Sequence, residues 1–202
     1  MRTMIMAAAL MLSACATTAN GADKPRVVLE TDAGRMVVEL ELERAPLTVC
    51  NFLSYVTDGD YEGGSFFRTV VSATNDNPNP IDVIQAATPR GSDDDLRPPI
   101  PLERTRDTGL RHTAGAISMA RDGPDTATSS FFIVTHDTPS LDFGGGRNPD
   151  GQGFAAFGRV VEGLDVARRI QAMPADAEEQ LTPLVSIRTA TLIGDVPPEC
   201  RP

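Results

Sequence analysis

The feature that most restricts this chain is the shortness of its apolar runs. Between Arg26 and Ile193 they come as β-type segments of a few residues, each closed by Gly, Pro, Asn or Asp. Arg26–Thr31 and residues 35–42 flank the turn signal Asp32-Ala33-Gly34. The second run places Met36, Val38, Leu40 and Leu42 on one face and Glu39 and Glu41 on the other, which predicts a hairpin with one face on a core. Further strands are predicted at 65–71, 83–87, 114–119, 130–135, 153–161 and 185–193. Two stretches have helical spacing instead. Ala45-Pro46 opens one, with Val49, Phe52, Leu53 and Val56 as its apolar stripe and Gly59 as its stop; the other covers 164–173 around Val166, Ala167 and Ile170. Many short strands with two helices define a mainly β barrel or sandwich. The polar segments 72–80 and 92–107 read as surface loops.

A length of 202 residues with 41% hydrophobic side chains suits one domain, placed at 23–195. The net charge of -10 and the lack of any basic run exclude nucleic acid as a partner. Residues 1–22 differ in kind. Arg2 precedes the apolar run 4–12, which marks a targeting segment too short to span a bilayer, followed by a polar tether. Leu12-Ser13-Ala14-Cys15 resembles a lipobox with Cys15 as the lipidated residue, while Ala14-Cys15-Ala16 also fits ordinary cleavage; both readings stay open. The expected location is the periplasm, with any membrane contact made through an N-terminal lipid anchor in the outer membrane, and a monomer is expected. Cys50 and Cys200 remain, either as a disulfide pinning the tail 196–202 or as small buried hydrophobes. No metal is expected, because His112 and His136 lack ligand-spaced partners, and neither Asp93-Asp94-Asp95 nor Asp150 belongs to a spaced oxygen-ligand loop. Ser129 and Ser130 lack a His-based triad signature.

Three segments in order carry a family likeness: YEGGSFFRTV (61–70), AGAISMARDGPDTATSSFFI (114–133), and Leu141-Asp142 followed by GQGFAAFGRVV (151–161). With the opening VVLETDAGRMVVELELERAPLTVCNFL they resemble a cyclophilin over about residues 26–193. The resemblance implies a closed eight-stranded antiparallel barrel capped by two helices, a groove on its outer wall, no cofactor, and peptidyl-prolyl cis/trans isomerase activity on proline-containing segments. Arg68 stands in the place of the catalytic Arg, after Phe66 and Phe67. Gln85 takes the place of the Gln that bonds substrate backbone, Val83 that of a pocket Met, and Ala120, Arg121 and Asp122 that of the substrate-backbone strand. Phe132 would floor the proline pocket, Leu141 and Phe154 would wall it, and Phe66 and Ser130 would complete its surroundings.

The residue types suit the chemistry. An X-Pro bond resists rotation by about 20 kcal/mol because the imide nitrogen shares its lone pair with the carbonyl. A guanidinium aimed at that nitrogen offers a hydrogen bond that exists only when the bond is twisted. Several positions depart from the family pattern. Phe67 replaces a His, Ser130 the Gln that supports the catalytic Arg, Ser140 a Trp, Phe154 a His and Asp82 a pocket Phe, and 72–80 is inserted beside the groove. These departures keep an alternative in view: a non-catalytic proline-peptide binding module or chaperone-like envelope lipoprotein.

Overall fold

The computed structural model describes residues 24–91 and 97–201. The targeting run, Cys15, most of the tether and Asp93 to Asp95 lie outside the described residues. Eight antiparallel strands close into a barrel in the order β1-β2-β7-β5-β6-β4-β3-β8. They are β1 (Arg26–Thr31), β2 (Gly34–Leu40), β3 (Ser65–Val70), β4 (Val83–Ala87), β5 (Ala116–Met119), β6 (Phe131–Val134), β7 (Ala156–Glu162) and β8 (Gln180–Ile193). The hairpin forms as its alternation predicts, with Thr31 opposite Gly34 and Leu29 opposite Met36. Closure leaves no unpaired sheet edge, so the barrel needs no cover for exposed backbone.

Both main helices pack on the barrel core through stripes that match their sequence spacing. Val49, Phe52, Leu53 and Val56 of α1 (Pro46–Thr57) enter one common core with Val166, Ala167 and Ile170 of α3 (Leu164–Gln171). Inside, Phe52, Tyr61, Phe66, Phe131 and Phe157 pack ring against ring at centroid distances of 5.2 to 5.9 Å. Such tilted and edge-on contacts add to the area they bury. The tail is fastened to α1 by a disulfide between Cys50 and Cys200.

Two expectations need correction. The segment after residue 96 keeps mostly to the surface as expected, but it is anchored and partly helical: Leu102 and Thr105 are buried, and Thr105–Thr108 forms a short third helix, α2, where two helices were expected. Ala45 offers α1 no side-chain cap, so the Glu103 carboxylate supplies one from a distance, accepting from Leu47 N (3.1 Å), Thr48 N (2.7 Å) and Thr48 Oγ1 (2.6 Å). Ile100 bridges to Ala127, and Asp125 accepts from Leu102 N, so this segment underpins the loop 120–128 beside β5. The last strand also starts earlier than 185. It runs from Gln180 through a cis Thr182–Pro183 bond, where a proline signals an interruption in sequence.

Candidate active site on the outer wall

Neighbours on a strand face opposite sides, so Phe131 and Phe132 must part company. Phe131 is the one in the barrel core, and Phe132 belongs to a second apolar cluster outside it with Val70, Ile81, Val83, Val134, Leu141 and Phe154. This cluster floors a groove of about 440 Å³. Phe154 stands edge-on to Phe132 at 5.4 Å, forming a slot of the right kind for a small apolar ring.

Arg68 reaches the same face through a bulge. By strict alternation Phe66 and Arg68 would point the same way, yet Phe66 pairs with Ala86 and Arg68 with the very next residue, Gln85. Phe67 is the extra residue, and the inversion it causes turns Phe66 inward and Arg68 outward. Phe66, expected at the groove, therefore lies fully buried in the barrel against Phe131. The other expected peptide-contacting residues all line the groove: Arg68, Val83, Gln85, Ala120, Arg121, Asp122, Ser130, Phe132, Leu141 and Phe154.

The support of Arg68 differs from the expected one. Its Nε donates to Glu179 Oε2 at 3.0 Å, its Nη2 donates to the same oxygen, and its Nη1 donates to Gln85 Oε1 at 3.2 Å. Three of its five N–H groups are engaged, leaving two for a substrate. Ser130, standing in the place of a supporting Gln, does not touch Arg68. Its hydroxyl accepts from Gln85 Nε2 (3.1 Å) and donates to Ala86 O (2.9 Å), so it orients Gln85. Glu179 was not foreseen, and it is itself held: Asn75 Nδ2 donates to its Oε1 at 2.6 Å. Asn75 belongs to the inserted loop, and its Oδ1 accepts from Arg147 Nη1 at 3.1 Å. The insertion is thus part of the frame around Arg68.

Other departures also acquire positions. Asp82 accepts from Ser72 N and from Gln171 Nε2, closing the base of the inserted loop rather than entering the slot. The Arg121 side chain is 1% exposed, donates to Gly153 O (2.9 Å), pairs with Asp150 and lies 5.0 Å from the Phe154 ring, so it fixes a slot wall. Behind the floor, His112 stacks on Phe132 and joins Asp142 Oδ1 (2.8 Å) to Ser118 Oγ (3.0 Å). Burial pushes the His112 ring below its usual pKa, against the pull of Asp142. Ser118 is wholly buried, so this relay offers no accessible nucleophile. Among the described residues no group of His, Cys, Asp or Glu could hold a metal ion, and no helix is long and apolar enough to cross a membrane.

The site is thus an apolar slot on the outer wall of a closed barrel with a guanidinium at the slot's lip. The chain belongs to the family described as cyclophilin type peptidyl-prolyl cis-trans isomerase/CLD, which matches residues 26–192. It is 35% identical to peptidyl-prolyl cis-trans isomerase cyp18 of Streptomyces antibioticus over 83% of this chain and 98% of that one. It is also 35% identical to peptidyl-prolyl cis-trans isomerase A of Dickeya dadantii, over 74% of this chain and 73% of the relative. A crystal structure of a cyclophilin type isomerase from Cryptosporidium parvum superimposes with a TM-score of 0.70, covering 86% of this chain and 99% of that chain at 20% identity, which shows the shared fold.

Proposed function

We propose that this protein isomerises X-Pro bonds in exported proteins and so assists their folding, with Arg68 as the catalytic guanidinium. The observation that carries the reading is the placement of Arg68. Glu179 and Gln85 hold it at the lip of a slot floored by Phe132, with two N–H groups left over. The proline ring would occupy the slot between Phe132, Val83, Leu141 and Phe154. Gln85 and the backbone at 120–122 would fix one side of the peptide while the other turns. As the bond twists, the imide nitrogen regains a lone pair, and an Arg68 N–H donates to it a hydrogen bond that neither planar isomer can accept. The slot helps because the twisted amide is less dipolar than the planar one and loses less on leaving water. No bond to the enzyme forms or breaks.

The sites that favoured a purely binding module now have other employment: Ser130 orients Gln85, and Asp82 closes a loop. Export is supported by the apolar run at 4–12 and by the Cys50–Cys200 disulfide, a bond that persists in oxidising compartments. We read the protein as a periplasmic monomer, attached to the outer membrane if Cys15 is lipidated. An NMR exchange assay on an Ala-Pro peptide tests the activity. Exchange faster than the uncatalysed rate is expected, and peptide binding without acceleration would leave a binding module. Fractionation with intact-mass measurement tests the location, distinguishing a diacylglyceryl-modified Cys15 from a simply cleaved chain, and a cytoplasmic full-length product would refute export.

A further inference from the structure

Three arginines line the groove, and one of them is unlike the others. Arg68 is paired with Glu179 and Arg121 with Asp150. Arg147 has no ion pair among the described residues. Its Nη1 donates only to neutral oxygens, Asn75 Oδ1 at 3.1 Å and Asn79 O at 3.4 Å. Its Nε and Nη2 have no acceptor among the described residues. Those two nitrogens form the side-on fork of the guanidinium, the same edge with which Arg68 grips Glu179, and the edge that fits a carboxylate with two parallel bonds.

The position is built, not incidental. Arg147 N donates to Ser140 O at 3.1 Å, and Asn79 Nδ2 donates to the neighbouring Gly146 O at 3.0 Å. A Cβ at Gly146 would come within 2.5 Å of Asn79 Nδ2, so a side chain there would displace the Asn79 amide that joins the two loops. Burial and then the nearby charge of Arg68 hold Arg147 below the usual arginine range, with Glu179 offsetting part of this. A cation so placed gains from an arriving anion. In a chain of net charge -10 it is also a local exception to a field that otherwise repels acidic peptides.

We propose that Arg147 makes the groove select peptides bearing an Asp or Glu next to the proline, the carboxylate being taken on the Nε and Nη2 fork. This rests on the groove being the proline-peptide site. The test uses peptide pairs that differ only in Glu against Gln, one pair varied before the proline and one after it. For each, catalysed exchange and affinity from amide shifts are measured by NMR. In the wild type, one flank is expected to favour Glu by about tenfold, equivalent to about 1.4 kcal/mol. In Arg147→Gln the Glu-to-Gln ratio should fall to near one, and in Arg147→Lys, which keeps the charge but not the fork, it should be intermediate. Ratios near one at both flanks of the wild type, or a preference that survives in Arg147→Gln, overturn the proposal. Should the Gln peptides bind but exchange at the uncatalysed rate, the isomerase reading fails instead, and the affinity ratios still decide the selectivity.

Discussion

Replacing Glu179 by Gln tests the frame around Arg68 with the loss of a single charge. The carboxylate accepts from Arg68 Nε and Nη2 through one oxygen and from Asn75 Nδ2 through the other. An amide oxygen can serve one side only. Its NH2 would then confront either the guanidinium or the Asn75 amide, whose own oxygen is occupied by Arg147. Hydrogen bonds to charged groups contribute roughly 1.5 to 3 kcal/mol. The side chains of Arg68 and Glu179 are 30% and 27% exposed, so water recovers part of this and the low end applies. A loss of about 1.4 kcal/mol in the transition state is about tenfold in kcat/KM. Glu179 does not line the slot, so the loss should fall on kcat with KM nearly unchanged, and the side-chain Nε–H resonance of Arg68 should shift. Made on top of Arg68→Ala, the substitution should cost nothing more, since its effect passes through Arg68. Full activity in Glu179→Gln would contradict a positioning role for Glu179, as would a tenfold loss that persists without Arg68. A gain in activity would mean that the carboxylate restrains the guanidinium instead of positioning it.

Cys200→Ser should leave the groove intact but lower stability. The disulfide closes a loop of 150 residues, for which the chain-entropy model gives about 5 kcal/mol as a ceiling, so denaturant unfolding should show a clear drop in midpoint with unchanged kcat. Stability should also decline on mild acidification. His112 is held below its usual pKa in the fold, so below about pH 6.5 the unfolded chain binds a proton that the folded one refuses, and stability falls as pH drops until the folded ring itself protonates. Thermal melts of the wild type between pH 7.5 and 5 should show this decline at up to about 1.4 kcal/mol per pH unit, and His112→Gln should flatten it; parallel curves would contradict the assignment.

The barrel is legible in the sequence because its strands are short, alternating and punctuated, and because both helices carry clean apolar stripes. Alternation says that adjacent Phe131 and Phe132 cannot share a face, and the family resemblance is what assigns Phe132 to the floor of the groove. What local pattern does not carry is the bulge at Phe67. Alternation alone puts Phe66 and Arg68 on one side, and only the pairing of β3 with β4 shows that they part. Glu179 is hidden by distance, lying 111 residues from Arg68 and just before a strand expected to begin only at 185. The segment 97–107 looked like a loop because its buried groups, Leu102 and Thr105, are too few for periodicity, while Glu103 acts on a helix 55 residues away. In each case the missing information is a tertiary partner rather than a local preference.

The role proposed for Arg68 is to lower the barrier to rotation from the slot's lip. Catalysed exchange of one Ala-Pro peptide by wild type and by Arg68→Ala, measured side by side with affinity, tests it most directly. Removing one preorganised transition-state donor typically costs about 10²- to 10³-fold. The prediction is a loss of that order in Arg68→Ala, with the peptide still perturbing amides around Phe132. Wild-type exchange rates in Arg68→Ala would contradict it.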